Sequence, residues 1–176
     1  ELTATEKSSL GAELFTDGDM ELSGTTNWDA AITTEGTRTK ETGTVYSGSQ
    51  SLKIARSGGN GGVAQAVSGL STSTLYKFSG WLYNSSSSIT PSWKSDGNLG
   101  TGATTGAEVG TTGEWVYFAE YFVPPATTTY IGFWKGTDDT YGLLDNLSLK
   151  AVTHDLVSYW ALDELQGTDY KYTVAD

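Results

Sequence analysis

The stretch TLYKFSGWLYN, Thr74 to Asn84, alternates at every step. Tyr76, Phe78 and Leu82 share one side with Gly80, and Lys77, Ser79, Trp81 and Tyr83 share the other. That period of two belongs to a half-buried β-strand. If Tyr76, Phe78 and Leu82 face a core, Trp81 and Tyr83 face outward. The neighbouring segments read the same way. EWVYFAEYFV, Glu114 to Val123, is a long aromatic strand ended by Pro124 and Pro125, which cannot donate to a ladder. SLKIAR (Ser51 to Arg56) alternates, and GVAQAVSGL (Gly62 to Leu70) follows the flexible turn SGGNGG. Residues Thr128 to Lys135 place Ile131 and Phe133 opposite Tyr130, Gly132 and Trp134, and Leu143 to Val152 form a last strand. Nothing before His154 has a helical period, and no internal repeat is visible. Short strands between Gly and Ser turns predict an all-β sandwich, each sheet hiding one face.

Composition limits the function. The chain has 176 residues, room for one full domain and little more. Its 10 Lys and Arg against 21 Asp and Glu give a net charge of -11, which argues against nucleic acid or an anionic membrane as partner. Six Trp, 10 Tyr and 5 Phe are more aromatic surface than a disordered chain carries. Cysteine is absent, so no disulfide or thiolate metal site exists, and the only histidine is His154. No run is apolar and long enough to span a membrane, so no membrane insertion is expected. Low charge density with abundant Ser, Thr, Gly and aromatics suits an extracellular or cell-surface β domain.

The outward aromatics are the candidate ligand contacts. Trp81 and Tyr83 lie on one strand, Trp134 and Tyr130 on another, and Gly80 and Gly132 would leave room for a ring. Trp93 sits in what reads as a polar loop, Ser92 to Gly100, where it would stand exposed. Lys77 and Gln65 are polar partners, with Lys135 and Asn84 in reserve. Sugar rings stack C–H patches on aromatic faces while their hydroxyls need hydrogen bonds. The opposite face assignment, with these aromatics in the core, is the competing reading. Catalysis is not expected. Glu108, Glu114, Glu120, Asp138 and Asp139 are present, but no motif sets a carboxylate pair across a cleft. SGGNGG lacks the lysine and helix of a phosphate loop. One acid interrupts an apolar pattern: Asp145 in YGLLDNLSLK, Tyr141 to Lys150. It is either a turn or edge residue, or a ligand for a structural cation. Asn84 (NSS) and Asn146 (NLS) fit the glycosylation acceptor pattern.

Four segments in order, GAELFTDGDMELSGTTNWD, SGSQSLKIA, TGEWVYFAEYFVPP and YGLLDNLSLKAV, resemble the landmarks of jelly-roll carbohydrate-binding modules of the xylan- and glucan-binding, galactose-binding-like group. The resemblance spans Gly11 to Val152. It implies a galactose-binding-like β-sandwich jelly roll at residues 11–153, with Trp28 and Trp115 in packing roles. It also implies a structural Ca2+ held by the Gly18 carbonyl, the Glu21 carboxylate, the Ser49 carbonyl and the Asp145 carboxylate, with Asp17 or Asp19 able to add a ligand. Mixed carboxylates and carbonyls suit that ion. The function implied is non-catalytic binding of a polysaccharide of β-glucan, xylan or mannan type, within a larger extracellular modular protein. The same fold also serves as a structural or adhesion domain of cell-surface or viral appendage proteins, which is the alternative. Residues 1–10 read as a polar lead-in. The tail LVSYWALDELQGTDYKYTVAD, within residues 154–176, resembles the opening of a laminin-G or concanavalin-A-like domain. It is either the start of a linked second module or a final ordered tail.

Overall fold

The computed structural model describes residues 8–28, 37–55, 61–86, 88–135 and 141–154. Residues Gly11–Val152 form one compact unit. A second unit comprises Glu1–Leu10 with Thr153–Asp176, of which only the strand β1 (Ser8–Leu10), Thr153 and His154 are described. The tail expected to open a second module, and Asp138 and Asp139, lie outside the described residues.

The unit Gly11–Val152 is an all-β sandwich of antiparallel strands with a jelly-roll architecture. One sheet runs in the order β2 (Thr37–Glu41), β3 (Ser51–Ala55), β10 (Tyr141–His154), β5 (Tyr76–Asn84), β8 (Trp115–Phe122). The other runs β4 (Gly61–Ser68), β9 (Thr128–Lys135), β6 (Ile89–Lys94), β7 (Thr104–Thr105). Their inner faces meet as the alternation requires. Phe78 and Leu82 are buried from β5, with Phe118 and Phe122 from β8, Ile131 and Phe133 from β9, and Leu144 and Leu149 from β10. Phe78 stands at the centre. Its ring lies 4.9 Å from Phe118, 5.2 Å from Phe133 and 5.6 Å from Phe15. A 3-10 turn at Thr26–Trp28 inserts Trp28 beneath the N-terminal segment. The Trp28 indole N–H donates to the Asp17 carbonyl at 3.0 Å, so its polar edge is satisfied while the ring is buried.

The middle of β10 carries a bulge. Asp145 pairs with Trp81 and Ser148 with Ser79, so two residues of β10, Asn146 and Leu147, oppose the single Gly80 of β5. Asn146 takes φ 47 there, a left-handed conformation that Asn tolerates better than most residues. Gly80 lies opposite. A Cβ on it would come within 2.5 Å of a Leu147 methyl and 3.0 Å of the Leu147 Cα. The glycine therefore admits the bulge rather than a ligand ring. Gly132 is likewise closed: a Cβ there would meet the β4 backbone at Val63 O and Ala64 Cα.

Candidate functional site

The outward face of β5 and β8 is aromatic. Cross-strand register sets Trp81 against Tyr117, Tyr83 against Trp115, Ser79 against Ala119 and Lys77 against Tyr121. Trp81 and Tyr83 are half-buried and Lys77 partly exposed, all on the side away from the core. Trp81 does not present a free face. Tyr46, from the loop before β3, stacks on it with ring centroids 4.0 Å apart and planes 17° apart. Tyr117 leans on the same indole at 5.4 Å, and Trp115 lies 5.8 Å from both Tyr46 and Tyr83. The outermost rings are thus Tyr46, Tyr117 and Tyr121, which are 40%, 48% and 56% exposed. Sequence reasoning did not single these out. For Tyr117 and Tyr121 the signal was present, since they alternate with Phe118 and Phe122 along β8. For Tyr46 no local period marks it.

The second expected platform is covered. Tyr130 and Trp134 do point outward from β9, but residues 97–100 lie over them. Gly97 rests against the Tyr130 ring and Gly100 against the Trp134 ring. Leu99 is only 3% exposed and packs with Ala64, Ala103 and Tyr130. The loop is tied down: Lys94 Nζ donates to the Thr101 carbonyl at 2.8 Å and pairs with Asp96 at 3.1 Å. Asp96 and Asn98 accept the N–H groups of Asn98 and Gly100.

Three further expectations are corrected. Trp93, read as an exposed loop residue, lies in β6, inside the core and stacked on Phe122 at 4.5 Å. The alternation Ile89, Pro91, Trp93 against Thr90, Ser92, Lys94 puts it inward. Gln65 is buried and fully engaged. Its Oε1 accepts from Thr16 N at 2.8 Å, and its Nε2 donates to the Thr16 and Asn27 carbonyls. It tethers the N-terminal segment to β4 and has no polar atom left for a ligand. Asn84 is also inward and buried, donating to the Val109 carbonyl at 2.8 Å. Glu120, the mid-strand acid, accepts the Ala107 N–H at 2.5 Å.

Asp145 is fully buried beside these aromatics. Its Oδ2 accepts the N–H groups of Tyr46 at 3.0 Å and Ser47 at 3.1 Å, and its Oδ1 accepts that of Asn146 at 2.8 Å. Glu21 Oε1 takes the next amides of the same loop, Ser49 at 2.9 Å and Gln50 at 3.2 Å. The turn between them is Gly48, at φ 73, where a Cβ would strike the Glu21 carboxylate. Two carboxylates therefore hold one loop by four of its N–H groups, and that loop lays Tyr46 on Trp81. Burial pushes the Asp145 carboxyl above its ordinary value, and the Glu21 charge adds to the rise, against its amide bonds to Ser47, Asn146 and Tyr46. The Ser49 and Gln50 amides hold Glu21 below its ordinary value. Asp17 is committed elsewhere, to Lys40 Nζ at 2.8 Å, while that ammonium also donates to the Met20 carbonyl at 2.6 Å. The Gly18 carbonyl accepts from Leu147 N at 2.7 Å. Among the described residues no three His, Cys, Asp or Glu side chains converge as metal ligands. The expected set has two carboxylates, and its other donors are carbonyls.

Comparison with family profiles and with curated protein sequences gives no match. Solved structures do match in fold. The CBM22-1 xylan-binding domain from Paenibacillus barcinonensis Xyn10C is 18% identical with a TM-score of 0.62, over 86% of this chain and 100% of that one. TmCBM61, solved in complex with beta-1,4-galactotriose, is 15% identical with a TM-score of 0.57, over 82% and 100%. The enzymatically active domain of bacteriophage CBA120 tailspike protein 4 is 14% identical with a TM-score of 0.59, over 80% of this chain and 21% of that one. At these identities the likeness is one of fold: a jelly-roll sandwich of the kind found in several carbohydrate-binding modules.

Proposed function

We propose that Gly11–Val152 is a non-catalytic polysaccharide-binding module, placed outside the cell or at its surface. The observation that carries this reading is the set of exposed rings on one sheet face: Tyr46 and Tyr117 against Trp81, with Trp115 beside Tyr46, and Tyr121 further along β8. Sugar rings stack on such faces through their C–H patches, and the tyrosine hydroxyls and Lys77 supply hydrogen bonds. Rings spaced along β8 suit successive sugars of a β-glucan, xylan or mannan chain. The titration that tests it uses xylan, β-glucan, mannan, galactan and acidic pectic fragments, read by Trp fluorescence and calorimetry. Saturable binding is expected with one of them. Tyr117→Ala should then weaken binding roughly tenfold, about one good aromatic contact, with little change in melting temperature. Unchanged affinity in that variant would remove β8 from the site.

The rival reading is a structural or adhesion domain whose aromatic face meets a partner subunit. It is favoured by one observation: β8 is an edge strand of its sheet. Concentration-dependent association with a silent glycan panel is its signature.

The residues around Asp145 suit a structural Ca2+. The donors are all oxygen, Asp145 and Glu21 repel one another, and no Lys or Arg of the described residues forms an ion pair with Asp145. Gly18 and Ser49 would contribute carbonyls, and the ion would neutralise the two carboxylates beneath the Tyr46 loop. Calcium at a hundredfold excess over its Kd should raise the stability of the stripped protein by about 2.7 kcal/mol. A melting curve that calcium does not move, with metal removal verified, would sink this site.

A further inference from the structure

The tyrosine face also carries lysines, on a chain of net charge -11. Three project outward from neighbouring strands: Lys53 of β3, Lys150 of β10 and Lys77 of β5. Lys53 pairs with Glu41 at 3.4 Å and lies over the Tyr141 ring. Lys150 faces Glu13 at 4.0 Å, and that carboxylate already accepts from Leu14, Phe15, Leu149 and Ser148. Lys77 has no carboxylate partner among the described residues. It stands directly opposite Lys150 on one side and Tyr121 on the other. Like charges directly opposed across a ladder destabilise it, and a sheet under selection for stability alone has no use for them.

The side chains between are small. Ser148, Ser79 and Ala119 lie in one row across β10, β5 and β8. This row is a trough, bounded by Trp81 and Tyr117 on one side and by Lys77 and Tyr121 on the other. Tyr117 and Tyr121 are four strand residues apart, about 13 Å. A saccharide chain lying over Tyr117 would place a substituent one or two rings away above the Lys77 ammonium.

We propose that this site selects a polysaccharide bearing sparse carboxylates, with a uronic acid seated between Lys77, Lys150 and Tyr121. The inference rests on the polysaccharide-binding reading and narrows it. The ammonium group makes a charge-assisted hydrogen bond to the carboxylate, and binding relieves the Lys77–Lys150 repulsion. Glu13, engaged as described, lines the hollow beside Ser148 and Lys150 together with Asp17, which is paired with Lys40, and Asp19; Glu114 lies beside Trp115 at the far end, and Glu120 falls with Phe118 and Phe122 on the side away from this face. The overall negative charge disfavours a dense polyanion, so isolated uronic acids on a neutral backbone are the class that fits.

The test takes the backbone that the wild-type chain binds and compares its uronic-acid-bearing oligosaccharide with the methyl-esterified form. The acid form should bind roughly tenfold tighter, the advantage shrinking at high salt. Lys77→Met should bring the ratio of acid to ester affinity to about one, the ester itself losing only the hydrogen bond that Lys77 gives the neutral chain, and Lys77→Arg should keep most of the ratio. Equal affinity for acid and ester in the wild type, or a preference that survives Lys77→Met, overturns the proposal and leaves polysaccharide binding standing. Silence across the whole panel, acidic fragments included, overturns both.

Discussion

Asp145→Ala should destabilise the metal-free protein by about 2–4 kcal/mol and shift its tryptophan emission. Among the described residues the carboxylate is the acceptor for the N–H groups of Tyr46, Ser47 and Asn146. Leaving a buried donor unmade costs about 1–3 kcal/mol. Tyr46 and Ser47 are exposed residues, so water recovers part of their loss, and relief of a buried charge recovers a little more. The spectroscopic effect follows from the geometry. Without its anchor the loop no longer holds Tyr46 on Trp81, and the indole becomes wetter. Urea unfolding and emission maxima check both. A variant as stable as wild type, with unshifted emission, would show that the loop is held by Glu21 alone. The pH dependence has a definite sign. The folded-state value of Asp145 lies above the ordinary aspartate value of 3.8, so the folded state binds the extra proton between those two values. In metal-free protein this group therefore lowers stability as pH rises through that window, and Asp145→Ala removes its contribution. Glu21 acts oppositely: its depressed value contributes stability above the ordinary 4.5 that is lost as pH falls through the folded value.

Phe78→Ala should cost about 3–5 kcal/mol, the range for removing a fully buried aromatic ring. Phe78 joins the two sheets through Phe118 on its own sheet and Phe133 on the other, and it closes on Phe15 of the N-terminal segment. The ring is wholly buried with three aromatic rings packed on it, so its loss leaves a cavity. Chemical denaturation with an unchanged m-value is the expected form of the result. A loss below about 1 kcal/mol would mean that the two sheets can close over the gap. Tyr117→Ala, one strand away but on the outer face, should change stability by only a fraction of this, so the pair separates core from surface on adjacent strands.

Much of the fold was legible because a strand declares its faces locally. Tyr76, Phe78 and Leu82 read as core and are buried, and Trp81, Tyr83 and Lys77 read as outward and are outward. The same rule would have placed Trp93 inward, but the Gly and Ser around ITPSWK made a strand look like a loop. It would also have marked Tyr117 and Tyr121. The acid in YGLLDNLSLK could be noticed from sequence, but not its work. Asp145 meets Tyr46 across 99 positions, and only the closed sandwich brings them together.

What the sequence determined alone was the alternation: all-β, two-sheeted, with one face of each regular strand apolar, because side-chain direction follows parity wherever no bulge interrupts the strand, as one does in β10. Which outward face stays open was a tertiary decision. Tyr130 and Trp134 obey the same parity as Trp81 and Tyr83, yet a loop thirty residues earlier in the chain lays Leu99 and two glycines over them. Exposure depends on what packs from outside the sheet, and that contact is set by chain topology and loop closure, which no local pattern encodes.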